Sequence, residues 1–316
     1  MARYLVTGGA GFIGSNIVKY ITEHSSDSVR VLDNLSSGKR ENLVTIKNKC
    51  EFCEGDIRNL DFVRSCMKDI DYVLHLAAIP SVPRSVEIPL ETNDANITGT
   101  LNVLVAARDE NVKRVVFSSS SSIYGDSPVM PKVETMMPNP ISPYAVHKLT
   151  GEYYCNVFYH LYGLKTIILR YFNVFGPSQN PHSDYAAVIP KFITMVLNDQ
   201  NPTIFGDGEQ SRDFTYVDNI VHANLIACSE GFTDDVFGQP YNVACNDQIT
   251  LNELVIKIND IIGKNIEPHY LPPRAGDIKH SLAGIDRAKK ILKYAPEISM
   301  EEGLELTIGW YKKNGR

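Results

Sequence analysis

Six short apolar runs punctuate the first half of the chain: RYLVTG (3–8), VRVLDN (29–34), CEFCEGD (50–56), DYVLHLA (71–77), RVVFSS (114–119) and KTIILRY (165–171). Each reads as a buried strand. Between them lie helical patterns at Gly14–Glu23, Leu60–Met67, Asn93–Glu110 and Tyr144–Tyr162. Strand–helix alternation of this kind predicts an α/β fold, a doubly wound parallel sheet with helices on both faces. Beyond Arg170 the texture changes. NVFGPSQNPHSDYA (173–186) and PPRAGD (272–277) read as loops, and the elements look shorter and less regular. Long loops of this sort in a compact protein are usually functional. The expectation is a nucleotide-binding Rossmann unit over 1–170. Residues 171–316 would then form mainly a smaller ligand lobe, with some segments returning to the first unit.

The net charge of −6 argues against a broad electrostatic grip on nucleic acid. No apolar stretch approaches the roughly 20 residues a membrane span needs. MARYLVTGG enters a strand at once, which leaves no room for a secretory leader and makes a cytoplasmic location the expectation. Cys50 and Cys53 form a C-x-x-C, but no second pair or nearby histidine completes a metal set, so no metal is expected.

Gly8, Gly11 and Gly14 stand between the first strand and an amphipathic helix. Glycines there permit a tight turn, close backbone approach to a pyrophosphate, and close helix–strand packing. The helix N-terminus adds free N–H groups and a positive dipole end. Asp33 ends the second strand, 19 positions after Gly14, where an acid would accept bonds from the adenosine ribose hydroxyls. A carboxylate there would repel a 2′-phosphate and favour NAD over NADP, although Lys39 and Arg40 follow closely. Asp56, where a third strand ends, is placed to meet the adenine edge.

FSSSSSIYGD (117–126) sets five serines at the end of a strand, a composition that alone reads as linker. The following SPYAVHKLTGEYYCNVFYHLYG (142–163) changes that reading. Ser142 is a fitting N-cap, Pro143 a good first helical residue and Gly163 a C-terminal stop. Tyr144 and Lys148 therefore lie one turn apart on one helix face. A free tyrosine is only about 0.1% ionised at neutral pH. A neighbouring ammonium and the positive ring of NAD would lower its pKa and make Tyr144 a usable general base. Ser120, projecting from the mouth of its strand, supplies the hydroxyl that such a pair needs beside the reacting oxygen. His147 points off the Tyr–Lys face and reads as a packing residue. His75 reads as structural or as a cofactor-edge contact. Trp310 and LKYAP (292–296) read as core.

At this point the chain resembles the extended short-chain dehydrogenase/reductases and, within them, the UDP-hexose 4-epimerases. The resemblance runs over essentially all 316 residues. It rests on TGGAGFIGS, VLDNLSSG, HLAA, FSSSSSIYGD, SPYAVHK, RYFNVFGP, GDGEQSRDFTYVDN and RAGDIKHSLAGI. Carried over by position, it implies Ser120, Tyr144 and Lys148 as the catalytic trio, with Lys148 also holding the nicotinamide ribose. It places Asn96, from ANITGT, in support of the site, and Tyr171 beside the nicotinamide. Further cofactor contacts are implied for Phe12, Ile13, Asn34, Ser36, Gly38, Ile57, Leu76, Ala77, Ala78 and Ser118. On the substrate side it implies Asn173, Arg212 and Arg274 at the pyrophosphate, Asp277 at the ribose or uridine, and contacts from Arg84 and Val188. A homodimer through a four-helix bundle of the 93–110 and 144–162 helices is also implied.

Related enzymes that dehydrate carry Thr-Asp-Glu at the strand end, and decarboxylases a Glu; here the stretch is Ser-Ser-Ser. No second acid or base stands there, which favours oxidation and reduction at one carbon. The implied reaction removes the C4 hydroxyl proton through Tyr144 with help from Ser120, passes hydride to NAD, and returns it to the other face of a rotated 4-keto sugar. Ser281 falls at the position where the family places a bulky gate against a 2-N-acetyl group, and Ser121 and Ser122 resemble the pattern of epimerases that prefer N-acetylated sugars. The expected pair is UDP-GlcNAc and UDP-GalNAc, with UDP-glucose and UDP-galactose also accepted. A UDP-glucose 4-epimerase proper, a UDP-glucuronate epimerase or a reductase are the alternatives. A non-catalytic NAD-binding regulator is the opposing class, and such proteins typically lose the Tyr or the Lys.

Overall fold

The computed structural model describes residues 1–181, 187–273 and 279–314; Arg274 and Asp277 lie outside the described residues. The six expected strands form as β1 (Arg3–Thr7), β2 (Ser28–Asp33), β3 (Cys50–Glu54), β4 (Tyr72–His75), β5 (Arg114–Ser120) and β6 (Thr166–Tyr171). A seventh, β7 (Gln239–Val243), comes from the second half of the chain. All pair in parallel, in the order β7-β6-β5-β4-β1-β2-β3. The order reverses between β1 and β4, so the loops leaving those two strands diverge and open a crevice at their C-terminal ends.

Alternate residues of each strand feed two cores. Val6, Val31, Leu74, Val116 and Leu169 pack under Ile17, Val18 and Ile21 of the Phe12–His24 helix and under Ile220 and Val221 of the Val217–Ala227 helix. Leu5, Leu32, Val73, Val115 and Ile168 face the other way, onto Val63, Leu104, Cys155 and Phe158. Burial on both faces is why these strands read as continuous apolar runs. A third core is built from Ile189, Phe192 and Ile193 of the Val188–Leu197 helix, Leu254 and Ile258 of Leu251–Ile262, and Leu304 and Ile308 of Met300–Asn314. The expectation of short, irregular elements after Arg170 is thus corrected, since these helices run to 10, 12 and 15 residues. Their apolar faces turn towards one another instead of towards the sheet. Leu292 and Tyr294 are core as expected, while Trp310 is only half-buried.

The Pro143–Tyr162 helix forms as its end signals require. The Ser142 hydroxyl accepts from Ala145 N at 3.2 Å, and Gly163 closes the helix at φ 70°. The helix expected over 93–110 is not continuous. Pro89–Asn93 and Gly99–Asp109 are α-helical, and Asp94–Thr98 between them widens to a π turn. Such turns recur at functional positions, and this one carries Asn96.

A Cβ at Gly151 would run into the Phe117 ring, whereas one at Gly309 meets nothing within 4 Å. Gly151→Ala is therefore expected to destabilise by about 1–3 kcal/mol through overpacking. Gly309→Ala, in the last helix, should stabilise by up to about 1 kcal/mol. Thermal melting of the two variants checks both signs.

Candidate functional site

The C-terminal ends of β1, β2, β4, β5 and β6 open into one cavity of about 560 Å³. On its floor is the glycine turn. Gly8 has φ 70°, and a Cβ there would sit 2.8 Å from Ala77 N. A Cβ on Gly14 would strike the Gly8 carbonyl oxygen. The turn can pack against the β4 loop, and the helix against the turn, only because those side chains are absent.

Asp33 is buried at the end of β2, where its Oδ2 accepts from Ala10 N at 2.9 Å and its Oδ1 from Leu35 N at 2.8 Å. Burial raises its pKa, and the two backbone donors pull it back. Its carboxylate thus ties the glycine turn to β2 while still lining the cavity. Asp56 accepts from Asn34 Nδ2 at 2.8 Å and from the Arg58 fork at 3.0 and 2.7 Å. The guanidinium holds its carboxyl down to about 2. Arg40 pairs with Glu54 and lies 4.6 Å over the Phe52 ring. Of the two cations near Asp33 that could offer a 2′-phosphate a partner, Lys39 and Arg40, Arg40 is therefore already engaged.

Ser120 ends β5 and brings its hydroxyl beside the phenol of Tyr144, the second residue of the Pro143–Tyr162 helix. The Ser120 hydroxyl also accepts from Ser122 N at 3.1 Å. The Tyr144 N–H donates to Ser85 Oγ at 3.1 Å, which pins the start of the helix. Lys148 Nζ donates to the Ser118 carbonyl at 2.6 Å and sits 5.9 Å from the Tyr144 ring centroid. Tyr144 and Lys148 share one face, as their spacing requires. Burial pushes the Lys148 ammonium down to about 8, and Glu152, one turn further on, acts the other way. The phenol departs from expectation: burial pushes Tyr144 up to about 12, with the neighbouring Ser120 hydroxyl lowering it. Among the protein's own groups Lys148, 5.9 Å from the ring centroid, does not reverse this.

Of the other positions expected at the cofactor, Gly11, Phe12, Ile13, Asn34, Ser36, Ile57, Leu76, Ala77, Ala78, Ser118 and Tyr171 line the cavity. Gly38 and Asn96 stand behind it. Gly38 packs on Ala10. Asn96 clamps the β4 loop, accepting from Ile79 N at 2.7 Å and donating to Ile79 O at 3.2 Å. His147 is buried against Asn96 at 3.3 Å, and buried His75 bridges Thr7 and Thr100 at 2.7 and 3.0 Å. Both histidines serve the scaffold. A glycine cradle, an acid at the end of β2 and a strand-end hydroxyl beside Tyr144 and Lys148 fit a dinucleotide in this cavity.

The positions expected at the substrate are less closely gathered. Asn173, at φ 29°, lines the cavity and donates to the Asp213 carbonyl at 3.1 Å. Arg212 donates to the carbonyls of Ser211 and Lys279 at 2.9 and 3.2 Å. The Ser281 N–H donates to Ser211 O at 3.1 Å, which sets it beside Arg212. Arg84 faces Glu91, itself a wall residue, at 3.5 Å. Val188 begins its helix one residue after the wall residue Ala187. Ser121 and Ser122 open the 3₁₀ turn Ser121–Tyr124, and the Ser122 hydroxyl is buried without a protein partner. Gln179 and Asn180, from the long loop, line the cavity and were not singled out by sequence, since nothing but their loop context marks them.

A glycine cradle and a Tyr–Lys helix over the switch point of a doubly wound sheet define the extended short-chain dehydrogenase/reductases. A profile of the NAD dependent epimerase/dehydratase family matches residues 4–244, and the chain belongs to that family. It is similar to the UDP-N-acetylglucosamine 4-epimerase of Methanobrevibacter ruminantium M1, solved in complex with UDP-N-acetylmuramic acid, at 43% identity and TM-score 0.93 over 99% of each chain. It is similar to the UDP-glucose 4-epimerase of Thermotoga maritima, solved with UDP-glucose, at 39% identity and TM-score 0.93 over 99% of this chain and 100% of that one. The UDP-glucuronate 4-epimerase of Thermodesulfobacterium geofontis is 36% identical over 99% of this chain and 97% of its own. The chain is an isomerase of the NAD-dependent kind. No helix among the described residues is long and apolar enough to cross a membrane, and none of their His, Cys, Asp and Glu side chains cluster as a metal set.

Asp33→Asn places an amide N–H₂ against one of two backbone donors that now meet a carboxylate oxygen. NAD affinity should fall at least about tenfold, in line with the loss of a charge-assisted hydrogen bond. Fluorescence titration of the stripped protein with NAD measures it.

Proposed function

We propose that the chain is a 4-epimerase of UDP-hexoses that prefers UDP-GlcNAc and UDP-GalNAc and also interconverts UDP-glucose and UDP-galactose. The observation that carries the reading is the convergence of Ser120, Tyr144 and Lys148 on one cavity wall at the end of β5, with Lys148 Nζ 5.9 Å from the Tyr144 ring centroid. Bound NAD supplies a hydride acceptor that returns what it takes. The chain's own groups handle the proton. With the positive ring of NAD in the cavity favouring the phenolate, Tyr144 Oη would accept the C4 hydroxyl proton of the sugar, Ser120 would hold that oxygen, and the Lys148 ammonium would balance the phenolate charge. Since Lys148 is pushed down to about 8 and must be charged, kcat should fall as pH rises through that region.

The strand end supports epimerisation over elimination. Ser119 to Ser122 carry hydroxyls only, so no acid stands there to expel a leaving group. A hexuronate reading is less well supported. Of the described cations on the cavity wall, Arg58 is paired with Asp56, and Lys148 is needed beside Tyr144, which leaves a second carboxylate without a dedicated partner among them. Ser281 is smaller than a side chain that would exclude an acetamide, which favours the N-acetylated pair.

In this reading residues 1–170 hold NAD and 171–316 mainly hold the UDP-sugar, with β7 and the Val217–Ala227 helix returning to the sheet. The uridine diphosphate is gripped by Asn173, Arg212, Arg274 and Asp277, and the sugar is left free to turn. The reading includes a homodimer through the exposed apolar face of the Pro143–Tyr162 helix, where Tyr153, Val157 and Leu161 are 60%, 42% and 71% exposed.

Turnover of four UDP-sugars tests the activity. Tyr144→Phe should lower kcat about a thousandfold for every substrate with little change in KM, as loss of a general base does. Ser281→Tyr should depress only the N-acetylated pair. Better turnover of UDP-galactose than of UDP-GalNAc, indifferent to Ser281→Tyr, would remove the preference. A Tyr153→Asp/Leu161→Asp variant should run as a monomer in light scattering; if the wild type already does, the dimer is wrong.

A further inference from the structure

Behind the catalytic strand end lies a buried network that the proton transfer does not use. Glu152 and Arg170 have side chains only 5% and 4% exposed. They meet as a two-pronged pair, Arg170 Nε to Oε1 at 2.9 Å and Nη2 to Oε2 at 2.6 Å. The Ser119 hydroxyl also donates to Oε1. Arg170 Nη1 donates to Tyr124 Oη at 2.8 Å, whose own proton goes to Asn242 Oδ1 at 2.7 Å. Asn242 in turn donates to the carbonyls of Lys132 and Gly284 at 2.9 and 3.0 Å. The network thus links the Tyr144–Lys148 helix to β5, β6 and β7.

A buried ion pair adds little to stability over an apolar pair of similar volume. This one occupies a particular place. Glu152 is four residues beyond Lys148 on the same helix face, and Ser119 immediately precedes Ser120. We propose that Glu152 is a positioning residue for the reaction: clamped by Arg170 and Ser119, its carboxylate keeps the buried Lys148 protonated and fixes the strand end that presents Ser120. The proposal rests on the reading of Tyr144, Lys148 and Ser120 given above.

The electrostatics around Lys148 agree with this. Tyr144, His147, Glu152 and Cys155 face it from its own helix, His75 from β4, and Arg170 and Tyr171 border it from β6. Glu91 lines the same cavity. His75 and His147 are both held neutral by burial, and burial pushes the Cys155 thiol and the Tyr171 phenol up, so they too are neutral. Glu152 is left as the anion one turn from the ammonium. Arg170 anchors that carboxylate with two hydrogen bonds of its fork, and Ser119 makes a third.

Glu152→Gln and the double variant Glu152→Gln/Arg170→Gln test the role. The double variant removes both charges of the pair together and keeps groups that can bond Ser119 and Tyr124. Two readouts are taken on NAD-loaded protein. One is the titration of Lys148 itself, followed by the ¹³Cε shift in lysine-labelled protein and assigned by its loss in Lys148→Met. The other is kcat and KM against pH. In both variants Lys148 should titrate at lower pH than in the wild type. The alkaline limb of kcat should move down by about one pH unit, so that kcat at the wild type's half-maximal pH is roughly fivefold smaller, with KM unchanged. Superimposable Lys148 titrations and pH profiles in a folded variant would overturn the proposal, and failure of both variants to fold would assign the pair to stability and overturn it too. A wild type that turns over no UDP-sugar would instead sink the proposed function, and the lysine titration would still report what Glu152 does.

Discussion

An ammonium held inside a protein is the constraint around which this site is arranged. Lys148 is 6% exposed, and desolvation works against its charge. Three features counter that. The Ser118 carbonyl accepts its hydrogen bond at 2.6 Å, the Phe117 ring presents its face at 5.1 Å, and Glu152 stands one turn away on the same helix. Two of the three come from β5, the strand whose last residue is Ser120. The charge and the hydroxyl are therefore carried by one piece of backbone, and displacing that strand end would disturb both together.

The fold explains how so short a strand end meets the other components. Reversal of strand order between β1 and β4 leaves a crevice, and every element of the site reaches it from the C-terminal end of a strand. The glycine turn follows β1, Asp33 ends β2, the Leu76–Pro80 segment follows β4, and Tyr171 ends β6. Parallel pairing throughout aligns all these ends on one edge. The Asn96 clamp on Ile79, seated in a π turn, then fixes the β4 loop beside the crevice.

The sheet and the dinucleotide cradle were legible because each has a local signature. Buried parallel strands are apolar throughout, and the turns that Gly8 and Gly14 make exclude side chains, so composition and spacing report them directly. The Tyr144–Lys148 pair was legible because helix periodicity fixes its geometry once Ser142 and Gly163 fix the helix. What was not legible depends on contacts far apart in sequence. β7 is an ordinary five-residue segment that becomes a sheet strand only by lying beside β6. The π turn at Asn96 interrupts the α pattern just ahead of Gly99, and a single glycine inside a helical run does not by itself mark such a change. Arg170 stands at the end of an apolar strand, one residue before Tyr171, and Glu152 in the middle of a packed helix. Each is an isolated charge to the sequence, and only the fold makes them a pair.

The proposed chemistry asks for opposite treatment of the two ligands, and the structure distributes its rigidity accordingly. The dinucleotide side is built from strand ends and a helix N-terminus, with both Asp33 oxygens tied to backbone donors and Asp56 locked by Arg58 and Asn34. The nearer half of the sugar side is equally firm. Asp213 accepts from Cys245 N and Ala283 N at 3.1 and 3.2 Å, and its carbonyl takes the Asn173 amide, so three distant segments are drawn to one point. Burial pushes the Asp213 carboxyl up to about 7, yet the backbone donors that surround it suit an ionised oxygen. Beyond that knot the cavity is lined by the hydroxyls of Ser118, Ser119 and Ser120 and by the side chains of Gln179 and Asn180, neutral groups that can hold a sugar without gripping one face of it. A ring that must leave its first orientation and return in a second needs a fixed pyrophosphate and few strong contacts of its own.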